Sequence, residues 1–233
     1  MFSTTRAGGV SSGRYASLNL GTHVGDAPEA VAENRARLQA LLPSSPFWLE
    51  QVHGTHVADA DQPAAHQPAD AAVTRTPGRV LAVMTADCLP VVIAAPAAGV
   101  LAVAHAGWRG LAAGVLENTV AAMALPPGAV LRAWVGPAIG KEAFEVGDEV
   151  RAAFASTCPP PTGAFLPAGT CDAAGLPKWR ADLPALAEQR LRTAGVEVVV
   201  HSGLCTVADN HRFYSYRKEG ATGRFATLAW LEP

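Results

Sequence analysis

Three short apolar runs lie almost end to end in the middle of the chain: Val80 to Thr85, Val91 to Ala95 and Val100 to His105. Each is too short for a core helix and too apolar for a surface strand, so each reads as a buried strand. Only a few residues separate one run from the next, and Pro96-Ala97-Ala98-Gly99 has the chemistry of a turn. Strands joined so tightly run back on one another, because a parallel return needs a long crossover. A purely parallel sheet is therefore disfavoured.

Helical patterns are interleaved with the strands. Ala27 to Leu42 has apolar positions at helical spacing, with Asp26 as a candidate N-cap. Further helices are expected from Gly107 to about Ala124, over Gly147 to Phe154, and over Asp182 to Thr193. Residues 1–25 suggest a strand, a loop and a return strand. Additional strands are expected over Phe47 to His53, Ala71 to Val73 with Thr74, Val130 to Val135, Val196 to Val200, Phe213 to Tyr216 and Arg224 to Trp230. Ala58 to Pro68 and residues 156–177 read as loops. The pattern predicts an α/β (α+β) fold with mixed sheets, and 233 residues fit one domain spanning 1–233.

Composition narrows the function classes. Apolar content of 49% with 16% charged residues supports a large core. The net charge is −2 and no basic stripe is present, which argues against nucleic acid and membrane surfaces as partners. No apolar stretch reaches the roughly 18 residues of a membrane span, and the N-terminus lacks a secretory core, so a cytoplasmic location is expected. The four cysteines form no CxxC pair. Cys158 and Cys171 flank a Pro/Gly-rich segment and are the one pair a disulfide would join, while Cys205 follows a strand and reads as a small buried side chain.

Cys88 and His105 carry the chemical signal. Each sits where an apolar run breaks into a polar turn, in Thr85-Ala86-Asp87-Cys88-Leu89-Pro90 and His105-Ala106-Gly107-Trp108-Arg109-Gly110. His53, in Gln51-Val52-His53-Gly54, is a third candidate. A thiol and two imidazoles suit Zn²⁺, whose three protein ligands leave a fourth position open, and copper accepts the same donors. The same residues also allow a Cys88 nucleophile with His105 or His53 as base. The plain alternative is a buried free cysteine and two satisfied histidines, but Gly54 and Gly107 mark turns beside both histidines. His23, His56, His66, His201 and His211 are weaker candidates. Arg109 is either a surface ion-pair partner or a contact to a substrate anion. Arg217, Lys218 and Arg224 cluster beside Tyr214 and Tyr216, a pattern that suits phosphate or a stacked base. The glycines at 107, 110 and 114 offer backbone N–H groups to an anion at a helix start. Asp87 is expected to bond neighbouring backbone or orient a histidine, and Glu145 reads as a buried carboxylate or a helix-start residue.

Taken in order, several segments resemble the YfiH-type family of laccase-domain, polyphenol oxidase-like proteins, also known as purine nucleoside phosphorylases and peptidoglycan editing factors. They are Arg6-Ala7-Gly8-Gly9-Val10-Ser11, Ser17-Leu18-Asn19-Leu20, Asn34-Arg35, Gln51-Val52-His53-Gly54 and the Cys88 and His105 motifs. Gly136-Pro137-Ala138-Ile139, Phe144-Glu145-Val146, Cys205-Thr206, Phe213-Tyr214-Ser215-Tyr216-Arg217 and Gly223-Arg224 complete the series. The resemblance implies a layered α/β/β/α core and a zinc site whose ligands match His53, Cys88 and His105. It implies phosphorolysis of adenosine, inosine, guanosine and methylthioadenosine, with adenosine deamination as a second activity. Departures are a start close to Phe2, Ala187 where an asparagine is common, and an individual segment over 155–176.

The leading expectation is thus a zinc-dependent purine nucleoside phosphorylase and adenosine deaminase, a monomer or weak homodimer. Purine nucleosides and phosphate are its partners, and Arg109 and Arg217 contact substrate and phosphate. Copper-dependent phenol oxidation is the alternative, although seven histidines are few for a multicopper cluster. A cysteine amidase or hydrolase acting on peptidoglycan precursors is a further alternative.

Overall fold

The computed structural model describes residues 1–62, 68–156 and 158–232, so His66 lies outside the described residues. In chain order the elements begin with β1 (Phe2–Ser3), α1 (Pro28–Gln39), β2 (Phe47–Trp48), β3 (Val57–Asp59) and β4 (Ala71–Thr74). The three apolar runs become β5 (Leu81–Thr85), β6 (Leu89–Ala95) and β7 (Val100–Ala106). Then follow α2 (Trp108–Ala113), α3 (Val115–Ala122), β8 (Leu131–Val135), β9 (Glu145–Val146) and α4 (Asp148–Ala155). The last part holds β10 (Phe165–Cys171), β11 (Pro177–Ala181), α5 (Leu183–Thr193), β12 (Val196–His201), α6 (Tyr216–Glu219) and β13 (Phe225–Ala229).

Two mixed sheets pack face to face. The larger has the order β12-β8-β6-β7-β4-β3 and the smaller β1-β13-β5-β2. In the larger, β6 lies antiparallel to β7 and β8, whereas β12 with β8 and β3 with β4 are parallel. In the smaller, β13 is antiparallel to β5, and β2 runs parallel to it. The tight turn from β6 to β7 enforces the expected reversal. The first apolar run differs from its neighbours: β5 belongs to the smaller sheet, so the chain changes sheets between Thr85 and Leu89.

Strand alternation divides the core into layers. Val91, Ile93, Ala102 and Ala104 face a cluster with Leu111, Leu116, Phe154, Leu186 and Leu191 of α2 to α5. Val92, Leu101 and Val103 face the other way and meet Leu81, Val83 and Ala229 of the smaller sheet. That sheet's outer face, with Ala82, Met84, Ala226 and Leu228, is covered by Leu38 of α1 and by Leu20. Helices, large sheet, small sheet and helix thus form the α/β/β/α layering. No helix among the described residues is long and apolar enough to cross a membrane.

Several sequence expectations change. Residues 4–27 form no return strand; they run as a loop with a short 3-10 turn at Gly13–Tyr15. Buried Asn34 pins this loop by donating to the carbonyls of Ser17 and Asn19 and accepting from Val10 N–H. Asp26 does not cap α1; Ala27 holds that position, while Asp26 Oδ2 accepts from Ser11 and Asn19. The helix expected from Gly107 is two helices, because Gly114 adopts a φ of 100°, open to glycine and closed to α-helix. The segment read as a loop over 156–177 contains β10 and leads into β11, an antiparallel pair joined to β9. Glu145 lies in β9 and pairs with Lys178 rather than starting a helix. Phe213 to Tyr216 is not a strand: Phe213 and Tyr214 are buried, and Ser215 caps α6 by accepting from Lys218 N–H. All four cysteines are free.

Candidate metal centre and substrate cleft

The site occupies the place where the chain passes from one sheet to the other. Ala86, Asp87 and Cys88 make that crossing, and Asp87 takes a φ of 93°, rare for a residue with a side chain. Such backbone costs on the order of 1–3 kcal/mol and persists only when its surroundings fix it. Here Thr206 Oγ1 donates to Asp87 Oδ1 at 2.5 Å, Arg217 N–H to Oδ2 at 2.6 Å, and Ile139 N–H to the Asp87 carbonyl at 2.9 Å. Asp87 therefore bonds backbone and a threonine and orients no histidine. Cys88, half-buried, is left facing the cleft.

His105 lies on the face of β7 that also carries Leu101 and Val103, so its ring points into the space between the sheets. It is buried, and Nδ1 sits 2.7 Å from Asp70 Oδ1. Asp70, fully buried before β4, also holds the His53 loop. Its carboxylate accepts from the N–H groups of Val52 at 3.1 Å, His53 at 2.9 Å and Gly54 at 2.6 Å. These bonds explain why the strand expected through His53 stops at Trp48. The N–H groups turn to a carboxylate instead of a neighbouring strand, and His53 takes a left-handed φ of 60°.

One acid thus fixes both histidines. His53, Cys88 and His105 place one donor atom each within 4.8 Å of one another, with Cys88 Sγ 3.8 Å from His53 Nε2. Tetrahedral zinc, with bonds of about 2.0–2.3 Å, separates its donors by roughly 3.5 Å. The three residues fit a single ion of that kind. The packing around them fits as well: a Cβ at Gly107 would stand 2.7 Å from His53 Cδ2 and 3.2 Å from Cys88 Sγ. A Cβ at Gly110 would stand 2.7 Å from the Gly54 carbonyl. The glycines after His105 let α2 approach the His53 loop, which gives Gly107 and Gly110 a packing role.

Charge is balanced inside this group. Burial alone would push the Cys88 thiol up, but the positive His105 beside it, together with hydrogen bonds from His105 and His53, brings it down to about 6. Burial likewise disfavours charge on His105, and the thiolate and the Asp70 carboxylate raise it to about 9. Burial pushes Asp70 up, whereas hydrogen bonds from His105 and Gly54 hold it below the ordinary carboxylate value.

The cleft in front of the triad has a volume of about 390 Å³, enough for a nucleoside-sized ligand. Its wall includes Arg109, Arg217, Arg224 and His23, all basic. Arg109 is exposed, makes no ion pair among the described residues, and stacks over Trp108 at 4.4 Å. Arg217 donates Nη1 to the Ala143 carbonyl and lies over Phe144. Thr85 also lines the cleft, and its buried hydroxyl has no hydrogen-bond partner among the described residues. Lys218 points elsewhere, to the Val207 carbonyl. Of the weaker histidines among the described residues, His23 reaches the cleft; His201 pairs with Glu188, and His56 and His211 are exposed. Asp70 escaped sequence reasoning because an acid before a short apolar run looks like a turn residue.

A family model described as "Multi-copper polyphenol oxidoreductase laccase" matches residues 1–232. The chain belongs to this family. A purine nucleoside phosphorylase, YfiH, of Escherichia coli strain K12 is 51% identical over 232 residues, covering 98% of this chain and 92% of the relative. A purine nucleoside phosphorylase of Pseudomonas aeruginosa is 50% identical over 229 residues, covering 98% and 92%. A crystal structure of a Neisseria meningitidis protein superposes with a TM-score of 0.89 at 49% identity, covering 99% of this chain and 93% of that one. The family's multi-copper description meets one obstacle in the donor set. Among the described residues a single group of three histidine, cysteine or acidic side chains is placed to hold a metal.

Proposed function

We propose that this chain is a purine nucleoside phosphorylase working in the cleft in front of His53, Cys88 and His105, with zinc as its metal. The observation that carries the reading is one cleft that joins a three-donor cation site to a wall of arginines. The names of the relatives agree with it. In phosphorolysis a phosphate oxygen bonds to C1′ of the ribose while the C1′–N9 bond breaks. Its electron pair leaves with the purine, which takes up a proton. Both the nucleophile and the leaving group are electron-rich, so positive groups on opposite walls favour the transition state.

The residues take separate roles in this proposal. His53, Cys88 and His105 hold the ion, and Arg109 and Arg217 contact phosphate and substrate. Asp70 keeps the proton on His105 Nδ1, so that Nε2 presents its lone pair. A bound zinc ion supplies Lewis acidity and lowers the pKa of a water in its open position. That chemistry also serves the proposed second activity, adenosine deamination. Adenosine, inosine, guanosine and methylthioadenosine are the proposed substrates.

A second reading is favoured by one observation: Cys88, His105 and Asp70 line up as a thiol, an imidazole and a buried acid. Without a metal, that order suits a cysteine nucleophile cleaving an amide. Metal occupancy separates the two. Protein purified without added metal should carry about one zinc per chain by the three-ligand argument. It should release hypoxanthine from inosine only with phosphate present, and Cys88→Ala should lose both metal and activity. Metal-free protein with a freely alkylated Cys88 would overturn the phosphorylase reading in favour of the hydrolase.

A further inference from the structure

We infer that Arg224, with His23 beside it, is the anchoring part of the phosphate subsite in this cleft, an assignment that rests on the phosphorylase reading above. Arg224 immediately precedes β13, and its neighbour Phe225 pairs with Thr85 at the end of β5. The guanidinium therefore starts from the same edge of the small sheet at which the chain leaves for Cys88. Both His23 and Arg224 line the cleft.

Among the described residues, the hydrogen bonds that hold Arg224 in place go to neutral groups. Its stem passes over Gly21, where a Cβ would stand 2.8 Å from Arg224 Cγ. Its backbone N–H donates to Asn19 Oδ1 at 2.8 Å, and its carbonyl accepts from Leu20 N–H at 3.0 Å. Nη1 donates to the carbonyls of Thr222 and Gly223, both at 3.0 Å. Behind it lies Arg35, which donates to the Leu20 carbonyl at 2.9 Å and to Met84 Sδ at 3.6 Å, and stacks over Trp48. Met84 in turn lines the cleft.

No carboxylate within ion-pair distance neutralises Arg224 or Arg35 among the described residues. Burial disfavours the charge on Arg224, and Cys88 and then Asp87 are near enough to favour it, yet Cys88 faces His105 and both Asp87 oxygens are engaged by Thr206 and Arg217 N–H. His23 feels the same crowding: burial first, then the charges of Arg224 and Arg35, disfavour a proton on it. Half-buried guanidinium groups without a counter-ion are costly to keep out of water. An oxyanion relieves that cost, and phosphate suits the planar fork of an arginine. Arg109 is the contrasting case, since it stacks on Trp108 at the exposed rim and keeps its hydration.

The test combines ³¹P titration of metal-loaded protein with inorganic phosphate and initial rates on inosine at varied phosphate. Arg224→Gln should weaken phosphate binding and raise the KM for phosphate by about tenfold or more, the scale of a lost charge-assisted pair. Zinc content and the KM for inosine should stay within about twofold. His23→Gln should cost a smaller factor, and Arg109→Gln, a contact made from the exposed rim, should also cost less than Arg224→Gln. Arg224→Lys keeps the stem on Gly21 and the charge but loses the fork, so an intermediate loss is expected from it even if the glutamine variant fails to fold. Phosphate affinity indifferent to both Arg224 variants, or a larger loss in Arg109→Gln, would overturn the inference while leaving the phosphorylase reading intact. Native protein that binds phosphate through Arg224 but releases no hypoxanthine would overturn that reading and keep the anion subsite. Native protein that binds no phosphate would overturn both.

Discussion

The two walls of the cleft are built on opposite principles. At the triad, every charge has a partner inside the protein: the Cys88 thiolate faces His105, and His105 faces Asp70. At the arginine wall, Arg109 and Arg224 have no carboxylate within ion-pair distance among the described residues, and the Arg217 guanidinium donates to the Ala143 carbonyl and lies over Phe144. The first wall is pinned through buried Asp70 and His105 and takes left-handed backbone at His53 and Asp87; the second is held by aromatic faces and backbone carbonyls. A cation site must fix its donors before the ion arrives. An anion site need only leave its positive charge unspent.

The contrast breaks most severely at Asp70. Asp70→Asn keeps the shape but replaces an acceptor-only carboxylate with an amide that accepts on one side and donates on the other. It must then face three N–H groups and His105 together, and at least one contact turns repulsive. Metal affinity should fall about 10–100-fold, the usual cost of losing the acid behind a ligating histidine. Competition with a chromophoric chelator measures this directly. Phosphate binding at the opposite wall should barely change. An unchanged zinc affinity would mean that Asp70 only supports the fold.

This acid also shows where the sequence was informative and where it was silent. The mixed sheet was legible because the runs that become β5, β6 and β7 are short, apolar and tightly linked, whereas the layering was legible only through the motifs that resemble a known family. His53, Cys88 and His105 were legible for the same reasons, each lying at a turn beside a glycine or an apolar run. Asp70 carries no such mark. Its importance comes from burial and from four donors that converge on it from two distant segments, and nothing local encodes that convergence. Arg224 was visible as one of three clustered basic residues and in the closing Gly223-Arg224 motif, without a role of its own. What separates it from Lys218 is a stem laid over Gly21, which is distant in sequence. The hairpin of β10 and β11 was hidden for another reason: Pro167, Gly169 and Gly175 are turn formers, and the strands around them are largely exposed, so no alternation survives.

Gly107 offers a milder way to loosen the triad. Gly107→Ala adds one methyl group 2.7 Å from His53 Cδ2. Neither His53 nor Cys88 can retreat freely, because the His53 loop is tied to Asp70 and Cys88 follows the pinned Asp87. Overpacking of this kind costs about 1–3 kcal/mol. Chemical denaturation of the apo protein should register that loss, and zinc affinity should drop with it. Loss of affinity at full stability would place the clash on the ligand geometry alone.

The smallest effect tests the internal charge balance itself. In the apo protein Cys88 should be a thiolate above about pH 6, since His105 lowers its pKa from the ordinary 9.0. At pH 7 roughly nine-tenths of the thiol would be ionised, against roughly one-hundredth for an unperturbed group. The gain in rate with a disulfide reagent is much less than that ratio. A low-pKa thiolate is a weaker nucleophile, with a sensitivity of about 0.4–0.5 per unit, so three units recover only about a fourfold advantage. The informative quantity is therefore the midpoint of the pH–rate profile rather than the rate. Native apo protein should show a midpoint near 6, whereas His105→Gln, which removes the positive neighbour but keeps polar bulk, should move it upward. Zinc should suppress the reaction across the whole range, because the sulfur is then a ligand. A midpoint that stays put in His105→Gln would show that the triad does not neutralise itself, and the difference between the two walls would lose its electrostatic basis.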